Sequence, residues 1–225
     1  MGTVIVVEED LSGNYSRLLL KYFLSAGLAD NHSLLVTNSS PDGKVVTSSL
    51  PMFNCKEEGE KENLTETGAA ETMKIAWRYQ NQNTTKSSNL GTSQRTRHSF
   101  NLLKTIPPEM VKNSDVQICD IEPPENDDSW RNSSYHKLIK EIESKVQSGG
   151  FNIDPNVPKE HKNILRLGIQ SLGCSNWGEL QETAERNLGT FLLCLRSILR
   201  SCFGIAFLTV PSHVLRQVQR EKELT

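Results

Sequence analysis

The chain has 225 residues, a net charge of −2 and 36% apolar residues. Its length fits one medium domain or a small pair, and its apolar content, below the roughly 45–50% usual for globular chains, fits a folded core diluted by polar insertions. A charge this close to neutral excludes a global basic field, so any contact with nucleic acid has to be local.

An apolar run, Thr3 to Val7, opens the chain and predicts a strand. Glu8-Glu9-Asp10-Leu11-Ser12-Gly13-Asn14 follows, and a helical pattern then places Tyr15, Leu18, Leu19, Tyr22, Phe23 and Ala26 on one face. Gly27 reads as the left-handed cap of that helix. His32 to Val36 is a second strand. From Asn38 to Thr72 the composition turns polar and predicts a long loop or insertion. Met73 to Tyr79 is an aromatic island, and a second polar tract runs from Gln80 to Arg97. Phe100, Leu102 and Leu103 are expected to touch a core.

Val116 to Ile121 is a strand, closed by Pro123-Pro124 and the acidic run Glu125 to Asp128. Ser133 or Ser134 caps a helix carrying Tyr135, Leu138, Ile139, Ile142 and Val146, which Gly149-Gly150 ends. Asn163 to Gln170 is a further strand. Asn187 to Phe203 is a helix with the stripe Leu188, Phe191, Leu192, Leu195, Ile198, Leu199 and Cys202, and Gly204 to Val210 is the last strand. Apolar strands alternating with helices predict a mostly parallel sheet with helices on both faces.

The strand, polar loop and helix at the start have the layout of a phosphate-binding loop. Such a loop needs close backbone approach, a lysine for the outer phosphates and a hydroxyl for magnesium. Gly13 is the lone glycine between strand and helix, and no lysine precedes Lys21. Glu8, Glu9 and Asp10 stand where a polyphosphate would rest, which is repulsive. Ser16 is left as the hydroxyl. At the strand end where an acid would orient magnesium, Gln170-Ser171 stands instead, and a neutral amide does not replace a carboxylate on a hard cation. The segment is either an ordinary strand-to-helix turn or an ATP site that has lost its chemistry. No cofactor or metal is expected.

The five histidines are scattered and show no metal-ligand spacing with one another or with the cysteines. An odd count of five cysteines with no close pair suits free thiols in a reducing compartment. No apolar run reaches about 18 residues, so no membrane contact is expected. The start carries no secretory pattern. Arg95-Thr96-Arg97-His98 is a basic cluster in a polar tract that could reach a phosphate backbone. Arg196 and Arg200, opposite the apolar stripe, read first as a solvated face. Trp77 beside Arg78 and Tyr79 is either a stacking platform or a core plug.

Met73-Lys74-Ile75-Ala76-Trp77-Arg78-Tyr79 resembles a hallmark string of the Elongator complex protein 4 family. So do Asn163-Ile164-Leu165-Arg166-Leu167-Gly168-Ile169-Gln170-Ser171-Leu172-Gly173 with Trp177-Gly178, Val7-Glu8-Glu9-Asp10, and Leu20-Lys21-Tyr22-Phe23-Leu24. The resemblance runs through about Val214, apart from the polar tracts. It implies a single RecA-like domain over residues 1–214, with polar insertions at about 38–72 and 80–97 and a charged tail at 215–225. It implies a non-catalytic subunit with a degenerate nucleotide loop at Glu8, Glu9, Gly13, Ser16 and Gln170.

Its implied partners are Elongator complex proteins 5 and 6, in a hetero-hexameric accessory ring, and the catalytic Elongator core. That ring binds tRNA and supports modification of wobble uridine; the basic cluster, read from the residues themselves, gives Arg95 and Arg97 as the candidate tRNA contacts. The implied location is the cytoplasm, with the nucleus second. An active phosphate-loop NTPase and a protein-only scaffold are the alternatives. The family carries a glycine-rich lead-in before the first strand and continues past Pro211-Ser212-His213, so the resemblance implies a sheet short of strands, with an open apolar edge.

Overall fold

A computed structural model describes residues 2–38, 46–54, 98–121, 129–153, 163–178 and 181–216. The chain divides into one unit of Met1–Phe53 with Phe100–Thr225 and another of Asn54–Ser99. Nearly all described residues belong to the first. The Met73–Tyr79 island, the Gln80–Arg97 tract with Arg95 and Arg97, and Glu125–Asp128 lie outside the described residues.

The frame is a five-stranded parallel sheet in the order β1-β7-β6-β2-β5. Its strands are β1 (Thr3–Glu9), β2 (Ser33–Asn38), β5 (Val116–Asp120), β6 (Leu165–Ile169) and β7 (Gly204–Pro211). The three inner strands are buried along nearly their whole length, as near-continuous apolar runs require in a sheet covered on both faces. A small separate sheet pairs β3 (Pro51–Asn54) with β4 (Ser99–Thr105).

Helix α1 (Asn14–Ala29) covers one face of the main sheet, where Leu20, Leu24 and Leu28 meet Leu34, Val36 and Phe207. Helices α3 (Ser134–Ser148) and α4 (Gln181–Ser201) cover the other, over Leu35, Leu165, Leu167, Ala206 and Leu208. A short helix, α2 (Pro108–Lys112), follows β4. This is the RecA-like α/β architecture expected from the resemblance. In α3, Ser133 caps the first turn by accepting from the His136 amide at 3.1 Å, and all five residues of the expected stripe are buried.

Five expectations need correction. On α1, Tyr15 and Leu19 are exposed, and the core stripe is Leu20, Leu24 and Leu28, rotated from the face expected. Gly27 is no cap: α1 runs on to Ala29, and Asn31 takes the left-handed turn with φ 54°. Gly27 is buried, and a Cβ there would come within 2.6 Å of Leu34 Cδ2 and 2.8 Å of Arg166 Cδ. Leu102 and Leu103 are exposed on β4 rather than seated in a core, although Phe100 meets Tyr22 edge-on at 5.2 Å. The polar tract after Asn38 is folded over 46–54, where Val46 and Leu50 join the α1-side core. On α4, Leu192 also departs from its expected stripe and is partly exposed.

Among the described residues β1 has a neighbour on one side only. Ile5 and Val6, which point to opposite faces, are 39% and 52% exposed, so the edge is apolar on both. Val6→Lys is expected to reduce light scattering by the purified chain while moving stability by less than about 0.5 kcal/mol. Equal aggregation by both proteins would show that this edge does not drive association.

Candidate functional site

The loop between β1 and α1 is built around Asp10. Gly13 turns the chain at φ 65°, in the left-handed region that suits glycine, and its amide donates to the Asp10 carbonyl at 2.8 Å. The Asp10 side chain then folds over the start of the helix. Its Oδ1 accepts from the amides of Tyr15 at 3.1 Å and Ser16 at 3.4 Å. Its Oδ2 accepts from the Asn14 amide at 3.2 Å and the Ser12 hydroxyl at 2.8 Å. These amides open a helix and have no intrahelical acceptor, so they are the donors a phosphate would take. Here a carboxylate of the same chain takes them.

The Ser12 hydroxyl foremost, and the Ser16 and Asn14 amides with it, hold the Asp10 carboxyl below its ordinary value. Ser16 is buried, and its hydroxyl donates to the Gly13 carbonyl at 3.3 Å instead of facing a ligand.

Glu9 is consumed in the same way. Its Oε1 accepts from the Thr209 hydroxyl at 2.7 Å and the Ser171 hydroxyl at 2.8 Å, while Ser212 Oγ donates to its backbone carbonyl at 2.8 Å. Thr209 Oγ1 also accepts from the Ser171 amide at 2.8 Å, and Thr37 Oγ1 accepts from the Gln170 amide at 3.1 Å. Buried threonines at the carboxyl ends of β2 and β7 thus pin the segment after β6. Ser171 is held there at φ 49°, a strained conformation for a residue with a Cβ.

Of the five expected loop positions, Glu9, Gly13, Ser16 and Gln170 fall within this rim, and Glu8 lies exposed at the end of β1. The hydroxyl partners Thr37, Thr209 and Ser212 escaped sequence reasoning, although two of them are threonines inside apolar strands, a usable signal. A cleft of about 700 Å³ is lined by the acidic loop together with Ser212, His213 and Arg216. Its acidic side and internally paired carboxylates leave no cradle for a polyphosphate.

Three of the described thiols, Cys119, Cys174 and Cys202, are equally unsuited to nucleophilic chemistry. Burial, with Glu141 and Asp120 adding to it, pushes Cys119 up to about 11. Burial raises Cys174 and Cys202 as well. Asp10→Ala is expected to lower the thermal midpoint by about 2–4 °C through loss of the cap. The stabilisation by Asp10 is present above the unfolded carboxyl's ordinary value of 3.8 and is lost as pH falls through the depressed native one, so the two proteins should converge in acid. An unchanged midpoint at neutral pH would mean that Asp10 does not cap the helix.

The PAXNEB protein family matches residues 1–225. An Elongator complex protein 4 from Danio rerio is 33% identical over 96% of this chain and 57% of its own length. The Mus musculus and Homo sapiens proteins of the same name are 34% and 31% identical, each over 96% of this chain and 54% of their own. The chain therefore spans about half the length of these relatives. A match along the whole chain, on a RecA-like sheet whose phosphate loop is closed from within, places this chain in the Elongator complex protein 4 (PAXNEB) family.

Proposed function

We propose that this chain acts as a non-catalytic subunit of the Elongator complex. In this reading it joins Elongator complex proteins 5 and 6 in a hetero-hexameric accessory ring, which binds tRNA and supports modification of wobble uridine by the catalytic core. The observation that carries the non-catalytic part is the Asp10 carboxylate on the Asn14, Tyr15 and Ser16 amides. A loop that supplies its own anion has no vacant donors for ATP, and the electrostatic stabilisation on which phosphoryl transfer depends is missing. The partly exposed apolar edge of β1 and the exposed Leu192 and Leu193 of α4 support a life in an assembly. Four free cysteines among the described residues fit a cytoplasmic and secondarily nuclear location. Arg95 and Arg97 are the proposed tRNA contacts, as cations of a polar tract presented in several copies by a ring.

Co-expression with Elongator complex proteins 5 and 6 tests the reading. The expected result is a stable complex that retains tRNA on a filter, and no magnesium-dependent ATP hydrolysis by the chain alone. Steady turnover abolished by Ser16→Ala would favour the NTPase alternative. A complex without tRNA retention would favour the scaffold. A monodisperse monomer indifferent to both proteins would defeat the assembly reading.

A further inference from the structure

Two cations on α1 stand beside the closed loop with no described counter-ion. Arg17 and Lys21 are one helical turn apart and share a face, which Leu24 and Leu28 continue into the core. Both side chains are half-buried. The Arg17 Nε is fully shielded and has no hydrogen-bond partner. The ion pairs seen among the described residues use other cations, Lys145 and Arg166. Burial, and next the charge of Arg17, hold the Lys21 ammonium below its ordinary value.

The bland account is that two long stems cover apolar surface while their heads reach water. It explains the carbons. It does not explain a shielded guanidinium N–H with no acceptor, nor two like charges kept together at a partly buried margin. An anion held between the terminal guanidinium nitrogens of Arg17 and the Lys21 ammonium offsets the paired charges, while the shielded Nε itself lies out of its reach. A guanidinium fork and an ammonium about 5–6 Å apart at their Cβ atoms suit a group offering several oxygens in different directions, as a phosphate does. The pair lies in the first two turns of α1, next to the terminus that Asp10 closes.

We propose that Arg17 and Lys21 form a phosphate-binding pair on the flank of α1, displaced from the helix terminus that Asp10 now fills. The ligand is a phosphate group, either free or in an RNA backbone. The proposal does not depend on the ring: failed assembly would leave the pair intact, and a failed pair would leave assembly untouched.

Trace acetylation of the full chain, read by mass spectrometry, tests it. Saturating inorganic phosphate is expected to slow acetylation of Lys21 about tenfold, the loss of free amine that a rise of one pH unit in its titration midpoint brings. The exposed Lys137 should be unaffected. Arg17→Gln should remove the protection. If that variant folds poorly, Arg17→Lys should keep the charge and part of the protection. A short RNA protecting at far lower concentration than phosphate assigns the site to a backbone, and equal or better protection by phosphate assigns it to a free anion. Lys21 unprotected by both, or protected equally with Arg17 replaced by Gln, overturns the proposal.

Discussion

Trp177→Ala is expected to cost about 3–5 kcal/mol of stability, read as a lower urea midpoint at unchanged slope. The side chain is 1% exposed and stacks on Tyr135 with centroids 5.0 Å apart, with Phe191 at 6.5 Å. Its indole N–H donates to the Ser171 carbonyl at 2.9 Å, and its own carbonyl accepts from Ser134 Oγ at 2.9 Å. Alanine would therefore open a large cavity between α3 and α4 and strip the Ser171 carbonyl of its donor. That carbonyl belongs to the strained residue whose hydroxyl holds Glu9, so the damage should spread along the rim. Trp177→Phe keeps much of the volume and loses the N–H, for a cost of about 1–2 kcal/mol. A loss under about 1 kcal/mol for the alanine variant would mean that the Cys174–Gly178 turn is not anchored by this ring.

Periodicity carried much of the fold because α3 and α4 have one apolar stripe each, with polar residues opposite. Helix α1 lacks that contrast. Tyr15, Leu19 and Tyr22 are as apolar a line as Leu20, Leu24 and Leu28, so composition alone cannot choose the buried face. The choice is made by Gly27, whose missing side chain lets the helix close on Leu34 and Arg166. The same glycine reads locally as a cap, since both roles need a residue without a Cβ. The short β3 and the Val46–Ser49 turn carry too few residues for a period to show. At the site, the missing lysine and the neutral Gln170 were legible as identities. The capping role of Asp10 was not, because it requires a turn at Gly13 that brings the carboxylate back over the helix. Nor was the Thr209–Glu9–Ser171 cluster, whose members are as far as 200 residues apart. The Arg95–Arg97 cluster lies outside the described residues and stands as an expectation.

Arg166→Met is expected to cost about 2–3 kcal/mol and to flatten the dependence of stability on pH. Arg166 is a charge set in an apolar strand, and every arm of its guanidinium is used. Nε donates to His32 Nδ1 at 2.9 Å, Nη1 to the Phe23 carbonyl at 2.9 Å, and Nη2 to Asp30 Oδ2 at 3.3 Å. The group also lies 5.2 Å from the Phe23 ring centroid. Methionine would fill the stem and leave these acceptors unserved. Asp30 keeps access to water, which holds the cost to the low end for a buried pair.

Accepting from Arg166 requires His32 to be neutral at Nδ1. Burial first, then the Arg166 charge, lower its titration from the ordinary 6.5, with Asp30 partly opposing. The unfolded chain therefore takes up a proton that the native one resists. This contribution to stability is fully present above 6.5 and is lost as pH falls through the depressed native value. The urea midpoint should accordingly drop between about pH 7.5 and about pH 5.5. The drop should be shallower in Arg166→Met, where the opposing cation is gone, and shallowest in His32→Phe, which has no proton to bind. A parent midpoint flat over that range, or an equal drop in His32→Phe, would remove His32 from the acid sensitivity of the fold.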